Sequence, residues 1–385
     1  MNKLLVIILI VTLHCGCSKS KKDDLIIPSS VSRVSVGAIR WDGYYGGPVT
    51  TDEEKMLGPS QFQERAPFFS KILDDSTISI NGNLAATMSK EIEYAVQSGI
   101  DYWAFLAYPW FSDQYSQDIT LSTAATLYLN SPDMKKINFC WIVGGHLYWN
   151  GRWDKYMAHR ALETCRMSNY QTVLDGRPLI YFFEEGIIAT EANIVTCKSR
   201  LEKLSNALVA AGGKAPYYVF MGWNTSDWDK AKRAGFDAWS FYAGGGSGKY
   251  ADAAQSVKQV RWVQPTSLGI PTVPVVSAGW NALPRIEYRE KYGPTSYWGP
   301  DSYTSAKRSE CGDLPTADEL AAHLKDAMNF TANNSLCDAK TCIMYAWNEH
   351  SEGGWLCPTI LKRGGIDKSR VEAVGSVLKN RDLTK

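Results

Sequence analysis

Short apolar runs, each closed by turn residues, recur along the whole chain. Eight can be counted, at 34–41, 102–108, 137–143, 178–183, 217–223, 238–242, 272–278 and 342–347. They are almost continuously apolar, as strands buried on both faces are. Between them lie stretches with helical spacing of apolar positions, at 89–97, 121–129, 154–167, 191–211, 227–234, 251–260 and 316–330, and another at 368–379 follows the last. Ser89 stands where an N-cap belongs, and Gly212-Gly213 where a helix ends. Strand and helix alternating eight times predicts a (β/α)8 barrel, an α/β fold; a doubly wound open sheet is the alternative. Two connections, 42–87 after the first strand and 281–314 after the seventh, are long enough to read as loops that build specificity.

A barrel carries its chemistry at the C-terminal ends of its strands. Read off in order, those ends are Trp41-Asp42, Tyr108 with Trp110, His146, Glu184-Glu185, Trp223-Asn224, Tyr242, Trp280-Asn281 and Asn348-Glu349. Flat aromatic faces beside fixed polar groups suit a carbohydrate: rings cover the C–H face of a sugar and polar groups take its hydroxyls. Aromatic residues also favour a barrel rim for purely structural reasons. Of the adjacent Glu184 and Glu185 only one can face such a cleft, since neighbours on a strand point oppositely; Glu184 is read as a binding carboxylate.

The densest polar stretch is Asn348-Glu-His-Ser-Glu352, flanked by Trp347 and Trp355. Glu349 and Glu352, three positions apart, share one side of a helical turn. Two carboxylates so placed repel, one pKa rises, and the pair can serve as acid and base for glycosidic bond cleavage. The bland account is that Glu349 caps the next turn and Glu352 is solvated. Gly244-Gly-Gly-Ser-Gly-Lys249 imitates a phosphate loop but lacks its first Gly and its closing Ser or Thr.

Composition narrows the partners. Over 385 residues the net charge is +1 with both signs interspersed, which points to neither nucleic acid nor a charged membrane surface. Scattered histidines and no CxxC pair argue for no metal, and the chemistry above calls for no cofactor. At the N-terminus Lys3 precedes an apolar run from Leu4 to Leu13, then Cys15-Gly-Cys17 and a polar segment. This is similar to a bacterial lipoprotein signal at 1–17, with Cys17 lipidated and 18–30 as a flexible tether before a single catalytic domain at 31–385. His14 stands where such signals usually carry Leu, and plain secretion is the alternative. As a lipoprotein it is expected in the periplasm or at the cell surface of a bacterium, held to the membrane by the lipid anchor only. Export permits disulfides, and Cys311, Cys337 and Cys357, in loop-like surroundings, are the better candidates.

Three segments carry a family resemblance. Trp347-Asn-Glu-His-Ser-Glu-Gly353 resembles the N-E-W-x-E-G segment of glycoside hydrolase family 99, the endo-α-mannosidase type, and of the WbsX-like proteins. Gly279-Trp-Asn-Ala-Leu-Pro-Arg285 is similar to the WbsX-like G-W-D-N-x-x-R, and Gly99-Ile-Asp-Tyr-Trp-Ala-Phe105 to their G-I-D-Y-F-x-F. The resemblance implies a (β/α)8 barrel and retaining hydrolysis of an α-mannoside-like bond. By that likeness Glu349 is the base on the sugar's own 2-hydroxyl and Glu352 the acid on the leaving oxygen. His350 replaces the family's aromatic residue and Asn281 its Asp. A non-catalytic surface glycan-binding lipoprotein would use the same cleft, and a WbsX-like glycan-assembly role fits poorly with an export signal.

Overall fold

The computed structural model describes residues 33–113, 119–293, 307–379 and 381. All of these lie in one compact unit, Ser32–Lys385. The expected signal, Cys17 and the tether fall outside the described residues, as do Tyr297, Trp298 and Tyr303 of the second long connection.

Each of the eight apolar runs forms a strand. They are β1 Ser35–Arg40, β2 Tyr102–Ala107, β3 Asn138–Val143, β4 Arg177–Phe183, β5 Tyr217–Met221, β6 Ala238–Ser240, β7 Val275–Ser277 and β8 Thr341–Tyr345. Neighbours pair in parallel in the order β7-β8-β1-β2-β3-β4-β5-β6. A parallel bridge between Trp239 and Thr272 joins β6 to the segment before β7 and closes the ring. This is the expected (β/α)8 barrel, not the open sheet.

The floor of the barrel is filled by side chains. The Tyr102 hydroxyl lies 2.9 Å from that of Tyr181 and 3.0 Å from that of Thr341. The Tyr102 ring fits there because position 37 is Gly; a Cβ at Gly37 would fall 2.2 Å from the ring.

The outer helices are α2 Ala85–Ser98, α3 Thr123–Leu129, α4 Ala158–Thr164, α5 Glu191–Ala210, α6 Trp228–Arg233, α7 Tyr250–Val257, α9 Ala317–Asn333 and α10 Ser369–Leu378. Thr190 caps α5, whose end is turned by Gly212 at φ 83°. Ser89 does not cap α2: that helix begins four residues earlier, behind Leu84.

The two long connections are not plain loops. The first holds helix α1, Gly47–Leu57, and a short antiparallel hairpin, Ser70–Ile72 with Ile78–Ile80. The second opens with α8, Leu283–Tyr292. Hydrophobic spacing hides both helices because their buried faces carry polar groups: Thr50, Asp52 and Glu53 on α1, Arg285 on α8.

The expected disulfides are absent among the described residues. All seven cysteines from Cys140 to Cys357 are free thiols, and Cys337 and Cys357, expected in loops, are buried. There they pack as small hydrophobes. No described helix is long and apolar enough to cross a membrane.

Candidate active site

After β8 the chain folds tightly back on itself. Asn348-Glu349 pairs antiparallel with Gly354-Trp355, and His350–Glu352 make one 3-10 turn between them. Gly353, at φ 88°, closes that turn against the backbone of Asn281, where a Cβ would fall 2.5 Å from its nitrogen. Both acids point inward, Glu349 with 4% and Glu352 with 6% of its surface exposed. Glu352 is therefore not the solvated residue that the bland account requires.

One guanidinium gathers the acids. Arg285 Nη1 donates to Glu352 Oε1 at 2.5 Å, while Nη2 lies 3.6 Å from Glu349 Oε2. Nη2 also donates to Glu53 Oε1 at 3.2 Å, and Nε donates to Ser351 Oγ at 2.7 Å. Glu53 accepts further bonds from Ser351 Oγ at 2.9 Å and the Tyr44 hydroxyl at 3.3 Å. The Tyr242 hydroxyl donates to Glu349 Oε1 at 3.0 Å, and the Tyr345 hydroxyl donates to Glu352 Oε2. Glu349 Oε2 is buried and has no hydrogen-bond partner in the structure.

Three carboxylates around one cation, all taken from water, cannot all stay charged at low cost. Burial pushes Glu349 up to about 7, with Arg285 pulling it down and Glu53 and Asp42 pushing it up. Glu352 and Glu53 are raised by the same burial and pulled back by Arg285. Tyr242 and Tyr345 are held well above their ordinary range, chiefly by burial, so they remain donors.

The remaining strand-end residues separate into two groups. Trp41, Asp42, Asn281, Asn348, His350 and Trp355 are buried and engaged within the protein. Asn348 Oδ1 accepts from the Trp41 backbone at 2.9 Å and its amide donates to Asp42 at 3.1 Å. Asn281 is gripped by Arg65 at 2.9 and 3.1 Å and donates to the Gly312 carbonyl at 2.7 Å. The His350 ring lies between Tyr44 and Trp355, and burial pushes its pKa down to about 3. The Arg370 guanidinium lies 3.8 Å over Trp355.

The second group lines the rim. Tyr242 packs on Phe183 and Tyr345, and Trp280 tilts over Tyr345 with ring centres 6.1 Å apart. Tyr108 accepts from Trp41 Nε1 at 3.2 Å and packs on exposed His146. Trp110 is half-buried under Arg160. Trp223 is 51% exposed, with its edge against Phe183. Asn224 caps the turn after β5, accepting from the Ser226 backbone at 3.1 Å. Glu184 accepts from the Gly186 backbone at 2.8 Å, while Glu185 reaches across to the Gly145 backbone. A cleft of about 890 Å³ also exists, but Thr51, Met56, Tyr288 and Tyr292 line it rather than the acid pair.

Neither hydrophobic spacing nor motif likeness marks Glu53, Tyr44 or Tyr345 as site residues, and the likeness gives Arg285 no role. A buried-face Arg in the likeness to G-W-D-N-x-x-R was the available signal for Arg285; nothing local marks Glu53.

No family model and no curated protein matches the sequence. Among solved structures, two of the GH99 endo-alpha-mannosidase from Bacteroides thetaiotaomicron match 90% of this chain and 97% of theirs. Their TM-scores are 0.54 and 0.53 at 12% and 13% identity, the first being a complex with BIS-TRIS-Propane. The chain thus shares the barrel of that enzyme across nearly its whole length, the fold its sequence resemblance implied.

Proposed function

We propose that this protein is a retaining glycoside hydrolase acting on an α-linked, mannose-type glycan. The observation that carries the reading is the gathering of Glu349 and Glu352 by one buried guanidinium at the end of β8. The fold shared with an endo-alpha-mannosidase agrees with it. In the assignment the resemblance implies, Glu349 takes the proton of the sugar's 2-hydroxyl, whose oxygen attacks the anomeric carbon. Glu352 meanwhile gives its proton to the departing oxygen. Water then opens the anhydro sugar with the two roles reversed, so configuration is retained. Tyr108, Trp110, His146, Glu184, Trp223, Tyr242 and Trp280 are the proposed substrate contacts, and the inner group holds them in place.

A second reading exchanges the two roles. Arg285 holds Glu352 at 2.5 Å but stands 3.6 Å from Glu349, which favours the charged form of Glu352 and leaves the proton on Glu349. A substrate with an activated aryl leaving group separates the two, since it needs no acid. The variant of the acid keeps its activity on that substrate, and the variant of the base does not.

The primary test is incubation with mannan, α-glucan and a panel of α-linked oligosaccharides. Glu349→Gln and Glu352→Gln should each lose about 10²–10⁴-fold in kcat/KM on unactivated substrates. Full activity in both variants sinks the site. Binding without cleavage by the natural chain leaves a non-catalytic glycan-binding protein. We also propose lipidation at Cys17 and export to the periplasm or cell surface; labelling by a palmitate analogue that survives Cys17→Ala would refute the anchor.

A further inference from the structure

We propose that Arg285, braced by Glu53 of α1, is a positioning residue that divides the acid pair, fixing Glu352 as the bonded carboxylate and leaving Glu349 to exchange its proton. The inference rests on the reading of Glu349 and Glu352 as the reacting pair, with the roles in the exchanged order, Glu349 the acid and Glu352 the base, and it brings part of the first long connection into the site.

The geometry is asymmetric. The guanidinium is oriented by groups from two other segments: Glu53 from α1, and Ser351 and Glu352 from the turn after β8. It also lies over Trp41, 5.4 Å from the ring centre. Its fork is directed at Glu352, Glu53 and Ser351, so Glu349 receives the field of the cation without a hydrogen bond from it. Glu352 has a donor on each oxygen, Arg285 on one and Tyr345 on the other. Glu349 has Tyr242 on one oxygen, and the other, buried, is unbonded. An unbonded acceptor in a dry site is costly, and a proton or a substrate hydroxyl relieves that cost. Glu53, with three donors on its oxygens, is the brace that shares the charge of Arg285. The charged groups facing Glu349 are Arg285, Glu53 and Asp42, with Glu352 on the same guanidinium and Tyr44, Tyr242 and Tyr345 around them.

The test uses the whole protein labelled with ¹³C at glutamate carboxyls. The Glu349 and Glu352 signals are assigned by their loss in the corresponding Gln variants. The natural chain should show Glu349 titrating near neutral pH and Glu352 below Glu349. Glu53→Gln removes the negative brace, so the full pull of Arg285 falls on the pair. The Glu349 midpoint should then drop by about one pH unit, a tenfold change in proton affinity. Ser351→Ala disturbs the same contacts without changing charge and should leave that midpoint in place. Arg285→Gln should raise both midpoints; if it does not fold, Glu53→Gln still decides. A Glu349 midpoint indifferent to Glu53→Gln, or a Glu352 that titrates above Glu349, overturns the proposal. The readout does not need turnover. A protein that cleaves no glycan but shows the shift keeps this inference and loses the hydrolase reading; an active hydrolase without the shift does the reverse.

Discussion

Two arginines are buried at the same end of the barrel, and their surroundings differ. Arg40 leaves β1 toward the helical layer. It donates to Asp42 and to Glu91 of α2, each at 2.8 Å, and its guanidinium lies 4.4 Å over Trp103. Trp347 and Tyr45 complete Glu91, and Asn348 supports Asp42. Both carboxyls there are held by donors of the protein itself. Arg285 has three carboxylates, and one oxygen among them is buried and unbonded. The first cluster ties a helix to the barrel wall. The second gathers one carboxylate more around its cation, and its unmet atom is an acceptor, Glu349 Oε2, where that of the first is a donor, Arg40 Nη1. An unmet buried acceptor marks a place for a proton or a hydroxyl better than burial of charge does, because both clusters share the burial and an excess of acid.

The contrast can be broken from either side. The largest effect is expected in the Arg40 cluster. Arg40→Met strands two buried acids and should cost about 3–5 kcal/mol in denaturant unfolding. A loss under 1 kcal/mol would mean the cluster tolerates a missing cation and is not a structural tie.

Next comes a pH effect of the Arg285 cluster. Glu349 titrates near 7 in the folded chain against an ordinary 4.5. The folded state therefore holds the proton more tightly, and the stability this contributes is complete below 4.5 and lost as pH rises through 7. At 1.36 kcal/mol per unit the loss is about 3 kcal/mol. Glu349→Gln removes it, so the variant should gain on the natural chain between pH 4.5 and 7.5, measured by thermal melting. Parallel stability curves for the two would place the proton elsewhere.

Smaller effects belong to the rim. Trp223→Ala and Trp280→Ala should weaken glycan binding by about 1–3 kcal/mol by titration calorimetry, the range of ring stacking on flat ligands. Trp223→Ala should leave stability within about 0.5 kcal/mol, since that ring is mostly exposed. The smallest expected effect is at the surface pair Arg233 and Glu191, 2.6 Å apart and both exposed. Arg233→Ala should change stability by under about 1 kcal/mol, which calibrates the Arg40 result.

The fold was legible in sequence because barrel strands announce themselves one at a time. A run such as 137–143 needs no knowledge of its neighbours to read as a buried strand. The two acids were legible for the same reason, being three positions apart at one strand end. Glu53 was not. It stands almost 300 positions before Glu349, on a helix whose buried face is polar, and only closure of the barrel brings it to Arg285. Pattern also misjudged the cysteines: turn residues flank Cys337 and Cys357, but flanking composition does not report the depth at which a side chain ends up. Asn281 and His350 sit at positions that suggest ligand contact, while the structure engages them with Arg65, Gly312, Tyr44 and Trp355.

The plugged floor has a bearing on traffic. With the Tyr102 ring lying across Gly37 and its hydroxyl joined to Tyr181 and Thr341, the ring of strands is a blind well. Whatever reaches Glu349 must arrive and depart by the same opening. A polymer cannot be threaded through such a well; the glycan of the proposed function would have to lie across its top.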